Sequence, residues 1–427
     1  MPLYGMKRAL GGKFQQDVLW NVASLVLLGV SGIIFNILIW KFYDTSALGV
    51  FNQVFAAYTF FSQFAVTGLQ FSTLKHISEH AEEPRKCSTI LFSALLLTGI
   101  FASIVTALFW LAGDAVGGLL GSPGVAVGIR LAAPGLFFFS LNKVLLAVFN
   151  GFRRMKLFAV MQALRPLLMI TAFLEIAATG APSENIAVVF TVSELILFLV
   201  CLLFAAEHLF ILEPGGFFQW LGKHFVFGFK SLLGGVLGTL NTRVDVLMLG
   251  YFSTDEVVGI YSFAAILAEG FFQLLIVFMR NYNPIITKLL SENRIDELIE
   301  MFRKGRKIVY LLMVVLGLLI VAVYPAGSWF IDNSEDFISG WPIFAILAAG
   351  IVLASGYVPF GQILLGGGKP GWHTIMISSV VMFNILANLT LIPLISTYGA
   401  ALATALAFVF SVVMLKALSR LLLKVPI

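Results

Sequence analysis

The sequence predicts an all-α polytopic membrane protein, with twelve transmembrane helices arranged as two six-helix bundles. Three observations predict it. The 427-residue chain is 59% hydrophobic and only 11% charged, where soluble domains average about 25% charged residues. Its mean hydropathy is +0.98. Its apolar residues gather in runs near 19–40, 47–72, 88–112, 124–149, 157–179, 185–207, 231–251, 257–279, 308–329, 340–365, 373–393 and 397–418. Each run is close to the roughly 20 residues a helix needs to cross a bilayer. Barrel strands would be about 9–11 residues long and would alternate, which these runs do not. A helix satisfies its own backbone in lipid. This composition excludes both a soluble globular domain and a disordered chain.

The first run follows Lys7, Arg8 and Lys13. It is too long for a signal peptide and lacks a small-x-small cleavage site, so it reads as a retained span with the amino terminus in the cytoplasm. Turn signals separate later runs: Gly121-Ser122-Pro123-Gly124, Gly180-Ala181-Pro182-Ser183 and Gly366-Gly367-Gly368-Lys369-Pro370.

Charge fixes the orientation. With twelve spans and the start inside, the inner loops hold Lys75, Arg85, Lys86, Arg153, Arg154, Lys156, Lys223, Lys230 and the basic residues from Arg280 to Lys307. Lys416, Arg420 and Lys424 lie at an inside carboxyl end, and the outer loops carry Asp44, Asp114, Glu184, Asp255, Glu256, Asp332, Glu335 and Asp336, with Lys41 and Arg130 as the basic exceptions outside. This is the positive-inside pattern of a multi-pass membrane protein with both termini cytoplasmic. The formal charge of +5 and pI of 9.1 therefore reflect membrane orientation, and no nucleic-acid partner is expected.

Residues 1–210 form the expected amino-terminal bundle, 211–230 a cytoplasmic linker and 231–427 the carboxy-terminal bundle. The linker mixes Phe217, Phe218, Trp220, Phe225, Phe227 and Phe229 with lysines, as an interfacial helix does. A second polar stretch, Ser291–Lys307, alternates acids and bases and reads as a solvated helical connector. The tract Phe42–Phe51 resembles Phe252–Tyr261 at an offset of 210 residues, with Gly49 matching Gly259. Both halves then start inside, related by an axis along the membrane normal.

Ionised groups deep in lipid cost several kcal/mol and usually face a cavity or a partner. At about 1.5 Å per residue, Arg243 and Asp245 lie roughly 18–21 Å from the inner end of the seventh span. Glu269 and Glu194 lie roughly 18 and 14 Å from the outer ends of theirs. Arg243 and Asp245, two residues apart, point to different helix faces; one can line a cavity while the other pins a neighbour. Lys143 and Arg165 are shallower: they either snorkel or form a cationic patch at the inner mouth. Glu269, Gln273 and Arg280 form a polar stripe on the eighth span, and Asn52, Gln63 and Gln70 form one on the second. Asn384 and Asn388 read as interhelical hydrogen bonding. Glu194 or Glu269 would bind and release a proton, or neutralise Arg243.

No P-loop, nucleotide fingerprint or metal-ligand cluster appears, so no cofactor or metal is expected. His76, His80, His208, His224 and His373 sit in or near inner loops, and Cys87 and Cys201 imply no disulfide framework. A membrane glycan polymerase or glycosyltransferase is the rival of another class. Such polymerases generally carry their site on a large outer loop, and every outer loop here is short.

The tract around Gly49-Val50-Phe51 resembles the first hairpin of bacterial polysaccharide flippases, members of the multidrug/oligosaccharidyl-lipid/polysaccharide exporter superfamily. Asn241–Phe252 with its Arg243-Val244-Asp245, continuing to Gly259-Ile260-Tyr261, resembles their seventh helix and the turn after it. Asn150-Gly151-Phe152-Arg153-Arg154 resembles the basic turn after the fourth, and Asn283-Pro284 the exit of the eighth. The resemblance implies a MATE-like fold around a central cavity and a transporter, not an enzyme. It implies a flippase that moves undecaprenyl-pyrophosphate-linked oligosaccharide across a bacterial or archaeal cytoplasmic (inner) membrane by alternating access, in polysaccharide or lipopolysaccharide biosynthesis. H+ or Na+ coupling and contact with polysaccharide polymerase machinery follow from the same likeness. Under it, Arg243, Lys143, Arg165, Arg280, Gln63, Gln70 and Gln273 are substrate-binding candidates, and Asp245, Glu269 and Glu194 couple an ion or pair charge. A cation-coupled exporter of drugs or small metabolites would keep the same fold.

Overall fold

The computed structural model describes residues 20, 23–24, 26–206, 216–330 and 334–426. Lys7, Arg8, Lys13, His208, Asp332 and the linker tract 211–215 lie outside the described residues. Those described are helical, with no strand among them. In chain order the helices are α1 (Val26–Phe42), α2 (Thr45–Val66), α3 (Leu69–Glu79), α4 (Pro84–Leu111), α5 (Gly113–Leu119), α6 (Pro123–Gly151) and α7 (Met155–Ala178). They continue as α8 (Val188–Ala205), α9 (Phe217–Phe252), α10 (Asp255–Ser291), α11 (Ile295–Val323), α12 (Ser334–Ser355), α13 (Ile363–Gly366) and α14 (Pro370–Leu423).

Among the described residues, nine helices are long and apolar enough to cross a membrane. The longest, α14, covers two of the expected runs; Ile395 and Ser396 break it into two helical legs. Two further expected runs correspond to the shorter apolar α1 and to α2.

The structure departs from the hydropathy reading in four places, one of them the run 340–365, which breaks after Ser355 into α12, a 3-10 turn at Val358–Phe360 and α13. The run 47–72 is not one helix: Thr67 (φ 47) and Gly68 (φ 68) turn the chain between α2 and α3, so Gln70 lies beyond a bend from Asn52 and Gln63. The helix expected to begin near residue 231 begins at Phe217 and continues unbroken to Phe252. His224 is not in a loop; it is fully buried on α9.

Helix ends follow local chemistry. Pro84, Pro123 and Pro370 open α4, α6 and α14, where the missing N–H costs nothing. Ser122 caps α6 by accepting from Val125 N at 3.3 Å. Three turns share one hydrogen-bond pattern. Arg153 (φ 56), Asn293 (φ 55) and Gly368 (φ 71) are left-handed. The next residue's N–H then returns to a carbonyl five positions back: Arg154 to Phe149, Arg294 to Leu289 and Lys369 to Leu364, at 2.8–2.9 Å. That next residue is basic each time and also opens the following helix, as the N-cap residue of α7, α11 and α14. Gly121 makes the same turn at the opposite, acidic end, where Ser122 follows.

The chain packs as two compact units. One comprises Met1–Phe35 with Val54–Thr239, the other Asn36–Gln53 with Leu240–Ile427. The first unit centres on α4, α6 and α8, with Ile90, Val144, Val148, Leu197 and Cys201 at its core. Pro134 kinks α6, and Thr191 of α8 enters the gap. Its Oγ1 accepts from Gly135 N at 3.0 Å and donates to Leu131 O at 2.7 Å. Gly135 lets the two backbones approach, since a Cβ there would lie 2.7 Å from Phe190 C. At the opposite end of this unit, His224 Nε2 donates to Ile90 O at 3.1 Å, so its Nδ1 accepts from the Ser72 hydroxyl at 2.8 Å.

The second unit has a core of Ile286, Leu298, Phe302, Phe360 and Leu364 between α10, α11, α13 and α14. It also holds the repeat. Phe42 ends α1 and Thr45 starts α2; Phe252 ends α9 and Asp255 starts α10. Both boundaries correspond at the 210-residue offset.

Candidate functional site

Two clusters of intramembrane charge emerge, one in each unit. In the first, the α6–α8 crossing brings Asn142 against Glu194, one helical turn beyond Thr191. Asn142 Nδ2 donates to Glu194 Oε2 at 2.8 Å and to Glu194 O at 2.9 Å. Arg165 from α7 closes the cluster: Nε lies 2.5 Å from Glu194 Oε1, and Nη2 donates to Oε2 at 3.2 Å. The Glu194 side chain is 4% exposed and that of Arg165 19%. Such a pair persists because each desolvated charge satisfies the other.

Phe139 holds both nearby cations, with Arg165 Cζ 4.8 Å and Lys143 Nζ 5.1 Å from its ring centre. Tyr58 packs edge-on to the same ring at 5.5 Å and stacks on Phe190 at 4.9 Å. The Tyr58 hydroxyl is buried without a hydrogen-bond partner among the described residues. Two cations and one carboxylate leave this cluster formally positive.

In the second unit, Arg243 of α9 pairs with Glu269 of α10, Nη2 to Oε2 at 3.2 Å. Their side chains are 21% and 37% exposed. Asp245 points elsewhere, accepting from the Tyr261 hydroxyl and from Val246 N. Arg243, Asp245, Glu269, Asn241, Tyr261 and Thr404 all border one cavity of about 100 Å³. A larger cavity of about 290 Å³, bordered by Asn241, Asn384, Thr404 and Phe272, lies beside it. Two carboxylates and one guanidinium make this cluster formally negative.

Of the other sequence candidates, Asn52 borders the cavity of about 100 Å³ and Asn384 the one of about 290 Å³, while the glutamines and Arg280 border neither. Gln63 donates within its own helix, to Thr59 O and Ser62 Oγ at 3.3 Å. Gln70 is half-buried on α3. Gln273 and Arg280 are exposed and border neither cavity. Asn52 bonds Asn36 Oδ1 at 2.9 Å. Asn388 donates to Asn384 Oδ1 at 3.0 Å, and Asn384 reaches Thr404 at 3.5 Å. Asn142, Phe139, Tyr58 and Thr404 were not singled out by sequence, and Tyr261 stood out only as the end of the Gly259-Ile260-Tyr261 motif; among the first four, only the Asn142–Lys143 adjacency inside an apolar run gives a signal. No three potential metal ligands cluster among the described residues.

The described residues thus form an all-helical membrane bundle with paired charges deep in its spans. The pattern of the polysaccharide biosynthesis protein family matches residues 14–279, and the chain belongs to that family. Among solved structures it is similar to the lipid II flippase MurJ in an inward closed conformation. That match has a TM-score of 0.75 and 14% identity, over 96% of this chain and 88% of that one. A multidrug resistance MATE family transporter of the MOP superfamily, inward-facing, matches at 0.75 and 13%, over 94% of each chain. A MOP superfamily transporter from Pyrococcus furiosus matches at 0.58 and 15%, over 96% and 93%. No curated protein matches the sequence. The fold is that of these flippase and transporter structures, and the protein is a multi-pass membrane protein of the polysaccharide biosynthesis family.

Proposed function

We propose that the protein is a flippase for a polyprenyl-diphosphate-linked oligosaccharide, serving cell-surface polysaccharide synthesis. The observation that carries this reading is the Arg243–Glu269 pair on the rim of a cavity, in a chain of the polysaccharide biosynthesis family. A guanidinium offers a planar fork that bonds phosphate oxygens bidentately. At 21% exposure Arg243 is reachable, and a diphosphate would displace Glu269 from it. The polyprenyl tail would stay in lipid while the site opens alternately to the two sides. No covalent step is needed. Lys143 and Arg165 supply a second positive locus, and Arg280 an exposed one.

The twelve-span, two-bundle arrangement, the inner-membrane location and the cytoplasmic termini belong to the same reading, supported by the charge asymmetry of the loops. Coupling to H+ or Na+ through Glu194, Asp245 or Glu269 is consistent with their placement. A second reading keeps the fold and changes the cargo to a cationic drug or metabolite. The Asp245 and Glu269 carboxylates on the cavity, with Phe272 and Phe408 beside them, favour it.

The test compares transport of a fluorescent polyprenyl-diphosphate sugar and a cationic dye in proteoliposomes. Movement of the lipid-linked sugar that falls in Arg243→Ala supports the flippase. Movement of the dye alone, lost in Asp245→Asn or Glu269→Gln, replaces it with the exporter.

A further inference from the structure

The first helical turns of α9 carry a feature that cargo transport does not use. Three faces of this segment differ sharply. Phe218, Phe225 and Phe229 share one face and are 84%, 48% and 64% exposed, as lipid-facing side chains are. Trp220 and His224 form the opposite face and are buried against α3 and α4. Between them lie Lys223 and Lys230, both exposed and neither with a carboxylate partner among the described residues. Helical spacing of about 100° per residue puts the two lysines on one stripe along the boundary of the apolar face.

The lysine stripe borders a cleft of about 390 Å³, which His76 of α3 closes on the other side. Gly222 and Val226 line it from α9. A Cβ on Gly222 would meet nothing within 4 Å, so the missing side chain leaves open space. Lys223 Nζ lies 4.0 Å from the Trp220 ring centre and Lys75 Nζ 5.4 Å from that of Phe227. The rings steer both ammonium groups toward the aromatic face instead of leaving them free in water. Two lysines, Lys223 and Lys230, thus line the cleft with no carboxylate in its lining; Lys75 lies beside it, and nearby Glu79 pairs with His76 at 2.9 Å and Lys75 at 3.8 Å. The site is cationic, sits where exposed phenylalanines give way to charge, and is lined partly by apolar surface.

We infer that this cleft between α3 and the start of α9 binds the phosphate headgroup of an anionic glycerophospholipid from the surrounding leaflet. The acyl chains would run along Phe218, Phe225 and Phe229, and the phosphodiester would sit between Lys223 and Lys230. A zwitterionic headgroup brings its own cation and gains less from the lysines. Inorganic phosphate shares the charge but makes no use of the apolar face. The inference does not depend on the cargo.

The experiment is native mass spectrometry of the full chain, delipidated and titrated with phosphatidylglycerol or phosphatidylcholine of identical acyl composition. Two variants are compared with the parent. Lys223→Gln with Lys230→Gln removes the charge; Gly222→Leu keeps it and fills the cleft without a clash. The expected result is preferential retention of phosphatidylglycerol by the parent, reduced at least about fivefold in both variants and unchanged in Lys416→Gln, far along the chain. Equal retention by the parent and both variants overturns the proposal. So does displacement of the bound lipid by millimolar inorganic phosphate, which makes the cleft an ion site. Displacement by one equivalent of a polyprenyl diphosphate also overturns it, because the cleft would then hold cargo.

Discussion

Gly49 and Gly259 are buried in each other's helices. A Cβ on Gly49 would lie 1.8 Å from Asp255 O, and one on Gly259 would lie 2.0 Å from Thr45 O. The contact is reciprocal under the 210-residue repeat: each glycine meets the first residue of the other's helix. A side chain fastens the same crossing, with Gln53 Nε2 donating to Asp255 Oδ1 at 2.6 Å. Thr45 Oγ1, donating to Asp336 Oδ2 at 2.7 Å, ties the start of α2 to α12.

Replacing either glycine with alanine therefore forces backbone apart. Gly49→Ala or Gly259→Ala is expected to cost about 1–3 kcal/mol, read as a lower thermal midpoint in detergent. Gly99→Ala, at a helical position with nothing within 4 Å, is the control and should be neutral or gain up to about 1 kcal/mol.

The Arg165–Glu194 pair predicts strong non-additivity. Arg165→Ala alone strands a carboxylate that is 4% exposed and should destabilise by about 3–5 kcal/mol. Adding Glu194→Ala should recover part of that loss. A double-mutant cycle by chemical denaturation measures it; simple additivity would show that the two charges do not rely on each other.

Thr191 holds the kink that aims Glu194 at Asn142. Thr191→Val keeps the shape, removes the hydroxyl and leaves Gly135 N and Leu131 O to each other. The expected cost is about 1–3 kcal/mol, checked by the unfolding midpoint. Thr191→Ser should recover most of it.

Acid should loosen the end of α3. Burial holds the His76 imidazole below its usual value, against the opposing hydrogen bond to Glu79. That bond in turn holds the Glu79 carboxyl below the usual carboxylate range. As pH falls through the ordinary histidine value of about 6.5, the unfolded segment takes up a proton before the folded one, and stability drops. Glu79 adds stability above its ordinary value and loses it as pH falls through its lowered one. Both act in the same direction. Hydrogen exchange at Ile77–His80, corrected for intrinsic rate, should therefore be less protected near pH 5 than near pH 7. His76→Gln should remove the part of the change that falls near neutrality.

Hydropathy made the helices legible because a bilayer demands length and apolarity of each span, whatever its neighbours. The Thr67–Gly68 bend escaped it, since residues on both sides stay apolar and the signal is a backbone angle. The continuity of α9 escaped it too, because lysines and His224 lower the local hydropathy while the helix runs on. The depth of Arg243, Asp245, Glu194 and Glu269 could be counted along the chain. Their partners could not: Arg165 meets Glu194 only because Thr191 and Gly135 set the α6–α8 crossing. Tyr58 and Phe139 carried no signal, as aromatic residues in an apolar run look like any other lipid-facing side chain. His224 looked solvated until Ser72 and Ile90 were seen on either side of it.

The interlocked turns at Tyr43–Asp44 and Ser253–Thr254 have a consequence for how the chain can vary. One extra residue in either turn would rotate the following helix by about 100° and swing its glycine away from the opposing carbonyl. The two turns therefore share a single permitted length. An insertion in one turns its glycine out of the contact, and a matching insertion in the other would turn out the second as well, so these two distant stretches of the chain are held to their length by one shared crossing.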